Sequence, residues 1–293
     1  MMRVCAVAAS AVLVLTACRD RGASGTKVTL RYHPPVGAVY HYALVQHNLM
    51  AMEAGPLAGM GKQELAMRMH FTQTVKGPGA EGNALGIEVE VTFDSTSMEL
   101  PGVAPEMIAQ QMARVRGIKS TVVFDERAQV LRTDFGTANI PPEMKAQMAS
   151  GIKAMTFAFP EQPVGQGDSW TISTDLPIGQ MPGASGASGA GPARTTLTVR
   201  EIRIAGADTT LVLGIKTEFP TDPIELNIAG QRATLKLAGS LAGDQQFSLT
   251  RGAVLESTLK GKMRMNITAE ALGRQEMVVS SDTENTLRLV DGK

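Results

Sequence analysis

The chain has 293 residues, with 28 basic and 28 acidic side chains and a formal net charge of zero. No basic excess points to nucleic acid, and an aromatic content of 4% supplies few platforms for stacking bases or sugars. A hydrophobic fraction of 43% over this length can build one sizeable core or two small ones.

The first segment carries the sharpest signal. Arg3 gives a short positive start, and Val4 to Leu15 form an apolar run too short to span a bilayer as a permanent helix. The run ends at Leu15-Thr16-Ala17-Cys18, which resembles the lipobox of bacterial lipoprotein signal peptides. The resemblance implies a signal peptide over 1–17, cleavage between Ala17 and Cys18, and acyl chains on the Cys18 sulfur and new amine. Two or more acyl chains anchor stably, so the lipid bilayer is the first expected partner. Arg19 follows the cysteine, and by the same resemblance this favours the outer membrane, facing the periplasm or the exterior. Residues 19–27 read as a flexible tether of at most about 30 Å. The chain has two cysteines; Cys5 leaves with the signal peptide and lipid consumes Cys18, so the mature body is expected to fold without a disulfide.

Beyond the tether, period-two patterning dominates. Leu65, Met67, Met69, Phe71 and Val75 alternate with Arg68, His70, Thr72 and Thr74. Ile87, Val89, Val91 and Phe93 repeat the pattern, as do Leu211, Leu213, Ile215 and Phe219. In the longest case Leu255, Leu259, Met263, Met265 and Ile267 oppose Glu256, Thr258, Lys260, Lys262, Arg264 and Thr268. Such alternation predicts half-buried antiparallel strands. Gly77-Pro78-Gly79, Gly82-Asn83 and Gly206-Ala207-Asp208 are the expected hairpin turns.

Two stretches predict helices instead. Ala104–Arg116 places Ile108, Met112 and Val115 on one face, and Pro141–Phe157 places Met144, Met148, Ile152 and Met155 on another. Residues 177–193 are rich in Gly, Ala and Ser and read as a mobile loop.

An internal echo suggests two related halves, 28–158 and 159–293, within one continuous body. Pro35-Val36-Gly37 recurs as Pro163-Val164-Gly165, and Leu85-Gly86-Ile87 recurs as Leu213-Gly214-Ile215 at the same separation. Val130-Leu131 after a turn is echoed by Val254-Leu255 after another. The seam is the stretch Phe159 to Trp170, which holds the only tryptophan.

No catalytic or metal motif emerges. The Gly-Ala-Ser-Gly-Ala runs lack the second glycine of a nucleophile elbow, and Gly55–Lys62 has the wrong spacing for a phosphate loop. His41 and His47 would lie about 20 Å apart on one strand, too far to share an ion. Met67-Arg68-Met69-His70 and Met263-Arg264-Met265 hold soft sulfur suited to Cu(I), but strand parity turns these methionines toward apolar faces. No cofactor and no metal are therefore expected.

The chain resembles an uncharacterised family of bacterial envelope lipoproteins, a domain of unknown function. The resemblance rests on the lipobox, on Gly37, Tyr40 and Tyr42 opening the first half, and on Gly167, Asp168 and Trp170 opening the second. It carries no catalytic residues. The fold expected is mainly β: antiparallel strands in a curved sheet, sandwich or open barrel, with two short Met-rich helices. The function expected is a non-enzymatic, membrane-anchored lipoprotein with a structural or protein-interaction role. The alternative is a binder or carrier of a lipid or other hydrophobic ligand, lined by Ile108, Met112, Met144, Met148, Ile152 and Met155.

Overall fold

The alternating segments become strands of one antiparallel sheet in the computed structural model. It describes residues 27–55, 58–81, 84–113, 115–136, 140–154, 156–176, 184–188, 191–228, 230–269 and 276–290. The signal peptide, Cys18 and Met155 lie outside these residues. The first half is a meander of β1 (Val39–Ala54), β2 (Lys62–Glu81), β3 (Ala84–Glu99), β4 (Lys119–Phe124) and β5 (Val130–Asp134). Helix α1 (Pro105–Ala113) joins β3 to β4, and α2 (Pro142–Ala154) follows β5. The second half comprises β6 (Ser169–Thr174), β7 (Ala184–Ser188), β8 (Ala193–Ala205), β9 (Asp208–Glu218), β10 (Ile224–Ile228), β11 (Gln231–Ser248), β12 (Ala253–Ala269) and β13 (Glu276–Val290).

The strand order is β5-β4-β3-β2-β1-β13-β12-β11-β9-β8-β6, with β10 and β7 branching from β11. Each half is thus its own meander, and the β1–β13 pairing joins them in the middle, with Tyr42 opposite Leu289 and Leu44 opposite Leu287. Strands β5 and β6 are the outer ends of this path, so the sheet curves without closing.

Burial follows the alternation. Phe71, then Val89, Val91 and Phe93, then Leu211, Leu213 and Ile215 all turn into one core, and Val75 is buried as well. A smaller cluster of Ile224, Leu226, Leu235, Leu237 and Ile267 sits where β10 covers β11, with Met263 and Met265 packed against it. The opposite face is polar and laced with ion pairs, such as Lys260–Glu284 at 2.8 Å and Arg288–Glu256 at 2.9 Å. At such exposed sites each pair adds little stability, and their main effect is to keep this face in water.

The two halves open with the same device. In the first, the Gly37 N–H donates to Val75 O at 2.8 Å, and the Val75 N–H donates to Ala38 O at 2.9 Å. In the second, Gly167 donates to Val199 O at 2.8 Å, and Val199 donates to Asp168 O at 2.9 Å. Both turns need the left-handed backbone that glycine tolerates, with φ of +82° at Gly37 and +88° at Gly167. Both second strands then carry a bulge, at Lys76 in β2 and Arg200 in β8. Three residues beyond each glycine an aromatic anchors the strand: the Tyr40 hydroxyl donates to Arg251 O at 2.6 Å, and Trp170 Nε1 donates to Ala158 O at 2.9 Å.

This geometry re-registers the sequence echo. Gly37 corresponds to Gly167, not to Gly165. Val89 faces Val75 as Leu213 faces Val199, so the Leu-Gly-Ile tripeptides are not equivalent positions. The third echo does match. Phe124 pairs with Val130 across a bulge at Leu131, and Phe247 pairs with Val254 across a bulge at Leu255. That bulge also corrects the parity read for β12: Val254, not Leu255, packs against the main core.

Other expectations need correction. Gly77-Pro78-Gly79 is not a turn but part of β2, which runs on to Glu81. The pairing of β1 with β2 ends at Val39–Thr74, so Pro78 lies where β2 has no partner on that side and its missing N–H costs no ladder bond. Within the expected 177–193 loop, residues 184–188 form β7 and pair with β10, since backbone pairing needs no large side chains. The helices are shorter than the periodicity suggested, ending at Ala113 and Ala154.

Candidate functional site

The curved sheet places five aromatic rings around one space. Tyr42 on β1 stacks on Phe71 of β2, with centroids 5.1 Å apart and planes 20° from parallel. Phe93 on β3 lies directly across from Phe71. Phe124, at the end of β4, meets Tyr32 at 5.1 Å, and Phe247, at the corresponding place on β11, meets Phe159 at 5.1 Å with planes 74° apart. Such tilted and edge-on contacts suit the quadrupoles of the rings. Tyr32 comes from the segment before β1, and Phe159 from the segment between α2 and β6. Hydrogen bonds hold those segments: Val28 bridges Val164, Tyr32 donates to Glu126 O, and Phe159 donates to Arg127 O.

Between these rings lies a cavity of 130 Å³. Its walls continue with Val91, Ala253, Val254 and Leu287, and Ile152, Thr156 and Phe157 close it from the end of α2 and the residues after it. Polar groups are few: Gln73, Gln245 and Thr156 contribute amides and a hydroxyl, and among the described residues no charged side chain lines it. Burial pushes the Tyr42 hydroxyl far above the ordinary phenol range, with the neighbouring tyrosines adding to the shift, so it stays neutral. Burial does the same at Tyr32. Aromatic walls with a few neutral hydrogen-bonding groups are chemically suited to apolar surface and not to charge.

Of the six helix residues expected to line one ligand site, Met155 lies outside the described residues, and the structure separates the other five. Ile152 is buried and forms part of the cavity wall. Met148 is half-buried against the same core, and Met144 is half-buried one turn earlier. Ile108 and Met112 lie elsewhere, on α1, against a shallow groove with Thr96 and Met98 of β3. The sequence reading missed the cavity's main walls, which are sheet residues. The signal lay in the phenylalanines at inward parity, Phe71 and Phe93.

The lead-in motif residues are structural. Asp168 accepts the Gly165 N–H at 2.9 Å and pairs with Lys27 at 3.2 Å, and these contacts, the backbone one first, hold its carboxyl below the usual range. His41 shares a hydrogen bond with Thr72 at 2.9 Å, and His47 lies 3.8 Å from Glu64. Among the described residues, no three His, Cys, Asp or Glu side chains gather as a metal site would require, and no helix is long and apolar enough to cross a membrane.

No family model and no curated protein matches this chain. Among solved structures, one describing lipid–protein interactions in lipovitellin is similar at 9% identity and a TM-score of 0.45 over 88% of this chain. DynF from the dynemicin biosynthesis pathway of Micromonospora chersina overlays 91% of this chain and 86% of its own, at 9% identity and a TM-score of 0.23. An outer membrane channel from Pseudomonas putida F1 overlays 88% of this chain and 97% of its own, at 8% identity and a TM-score of 0.20. The present chain spans a quarter (25%) of the lipovitellin chain. At these scores the likenesses carry no functional inference.

Proposed function

We propose that this chain is an envelope lipoprotein, anchored through acylated Cys18, whose curved sheet holds the apolar part of a hydrophobic ligand. The observation that carries the reading is the uncharged aromatic cavity between the two meanders, closed on one side by Ile152, Thr156 and Phe157. At 130 Å³ it admits a group of about benzene size, since a dry apolar cavity of similar volume binds benzene. A longer acyl chain would need the end of α2 to move aside. Gly151 sits in that helix with nothing within 4 Å of the side chain it lacks. It weakens the helix by up to about 1 kcal/mol relative to Ala, which favours such movement. The absence of a charged lining favours neutral lipids, or lipids whose charged head remains outside, because an unpaired buried charge is costly.

The expectation of a purely structural role keeps one specific support. Ile152 and Met148 pack as core, so α2 also completes the hydrophobic layer. The two readings separate on the purified protein. Native mass spectrometry beside organic extraction is expected to reveal a neutral hydrophobe bound in near-stoichiometric amount. A clean apo mass that persists after adding monoacylglycerol would leave α2 as core alone.

A further inference from the structure

Six large apolar side chains stand exposed among the described residues, and five of them gather at one end of the sheet. Val36 (65% exposed) and Val39 (50%) flank the first lead-in turn. Leu85 (82%) lies at the β2–β3 hairpin opposite Ala80, Ile204 (61%) at the β8–β9 hairpin opposite Thr209, and Val290 (44%) opposite His41. The register places Val39, Leu85, Ile204 and Val290 at the same ends of their strands, and Val36 lies just before the first of them. Met107, the sixth, is on α1, which leaves the opposite end of β3. Singly exposed apolar residues need no explanation, but their segregation to one rim does.

The chain's own path supplies the occupant. The described residues begin at Lys27, which pairs with Asp168 beside the second lead-in turn, and Val28 bridges Val164 there. Cys18 precedes Lys27 by nine residues, a reach of at most about 30 Å. An anchor at Cys18 therefore holds this rim, and not the α1 end, against the bilayer. Among the described residues, charges around the rim pair with one another: Arg31 with Glu126, Arg127 with Glu161 at 2.9 Å, and Arg203 with Glu201 at 2.8 Å. Such a rim offers little field to anionic headgroups and leaves apolar contact as its means of binding.

We propose that this rim is a membrane-docking surface, with Val36, Val39, Leu85, Ile204 and Val290 seated among the lipid headgroups. The inference rests on the anchoring proposed above and fixes the protein's orientation: the sheet stands on its lead-in turns, and α1 faces away from the membrane.

The test uses the acylated protein in phosphatidylcholine vesicles. Because acylation consumes Cys18, a cysteine introduced as Leu85→Cys or Met107→Cys is the single site for an environment-sensitive dye. Dye at position 85 is expected to shift to the blue and be quenched by spin-labelled lipid, while dye at position 107 is not. Equal behaviour at the two positions would overturn the proposal. The unsubstituted protein reports on the anchor separately, since dye uptake and a missing acyl mass would show that Cys18 is free. In that event, the mature chain with Cys18→Ser still decides the matter by flotation. Leu85→Asp with Ile204→Asp, checked for an unchanged circular dichroism spectrum, should lower its vesicle partitioning at least about tenfold. Added phosphatidylglycerol should change partitioning less than about twofold. Partitioning unaffected by the two aspartates would count against the rim.

Discussion

Phe247→Ala is expected to destabilise the protein by about 3–5 kcal/mol, the range for removing a buried phenylalanine from a packed core. Phe247 is buried on β11 opposite the Leu255 bulge of β12, touches Phe159 edge-on and walls the cavity. Phe124 lies opposite the corresponding bulge of β5 in the first half, against Tyr32, and Phe124→Ala is expected to cost a similar amount. Both rings face the same space, so the two losses should not add. The more telling outcome concerns cooperativity. The only tryptophan, Trp170, is in the second half. In urea unfolding followed by its fluorescence, Phe124→Ala should shift the midpoint as far as it shifts the far-ultraviolet dichroism of the whole chain. If the tryptophan midpoint stayed put, the halves would be separate folding units and the shared core would be refuted.

Gly243→Ala should cost about 3 kcal/mol, at the upper end for a small-to-large change in a packed site. Strands β11 and β12 approach so closely that a Cβ on Gly243 would fall on the Thr258 carbonyl oxygen, and one on Gly261 would fall on that of Ser240. Backbone blocks both positions, so no side chain can rotate away. Gly151→Ala provides the contrast. It introduces the same methyl group into open space on α2 and is expected to stabilise by up to about 1 kcal/mol. Thermal or urea unfolding of the two variants should therefore move in opposite directions. Equal shifts would mean that the close crossing of β11 and β12 is wrong.

The period-two patterning made the sheet legible, because side-chain parity in a half-buried strand is written directly in residue type. Phe71, Val89 and Leu213 needed no structure to be placed inside. Three features were hidden for physical reasons. Bulges at Lys76, Leu131 and Leu255 each insert one residue and flip the parity that follows, so a strict alternation misassigns their neighbours. β7 is built from Ala, Ser and Gly, whose backbone pairs although their side chains give no apolar signal. The cavity was misplaced because the methionine stripes drew attention to the helices, whereas its walls come from strands distant in sequence. Helical periodicity showed that Ile152 and Met148 face a core, but not which sheet residues they meet. Conversely, the glycine–aromatic pairs Gly37–Tyr40 and Gly167–Trp170 were visible as motifs, and the structure supplies their common purpose.

The most direct test of a ligand-holding core is a titration of the unlipidated mature protein with monodecanoylglycerol, compared with an Ala253→Leu variant. Ala253 is buried in the cavity wall, and leucine adds three carbons to that space. Wild type should bind saturably, and Ala253→Leu should weaken binding at least about tenfold while still unfolding cooperatively, with a loss of stability no greater than about 1–3 kcal/mol, the range typical of overpacking. Equal affinity in the two proteins, or no saturable binding in either, would contradict the account and leave the aromatic ring as core packing.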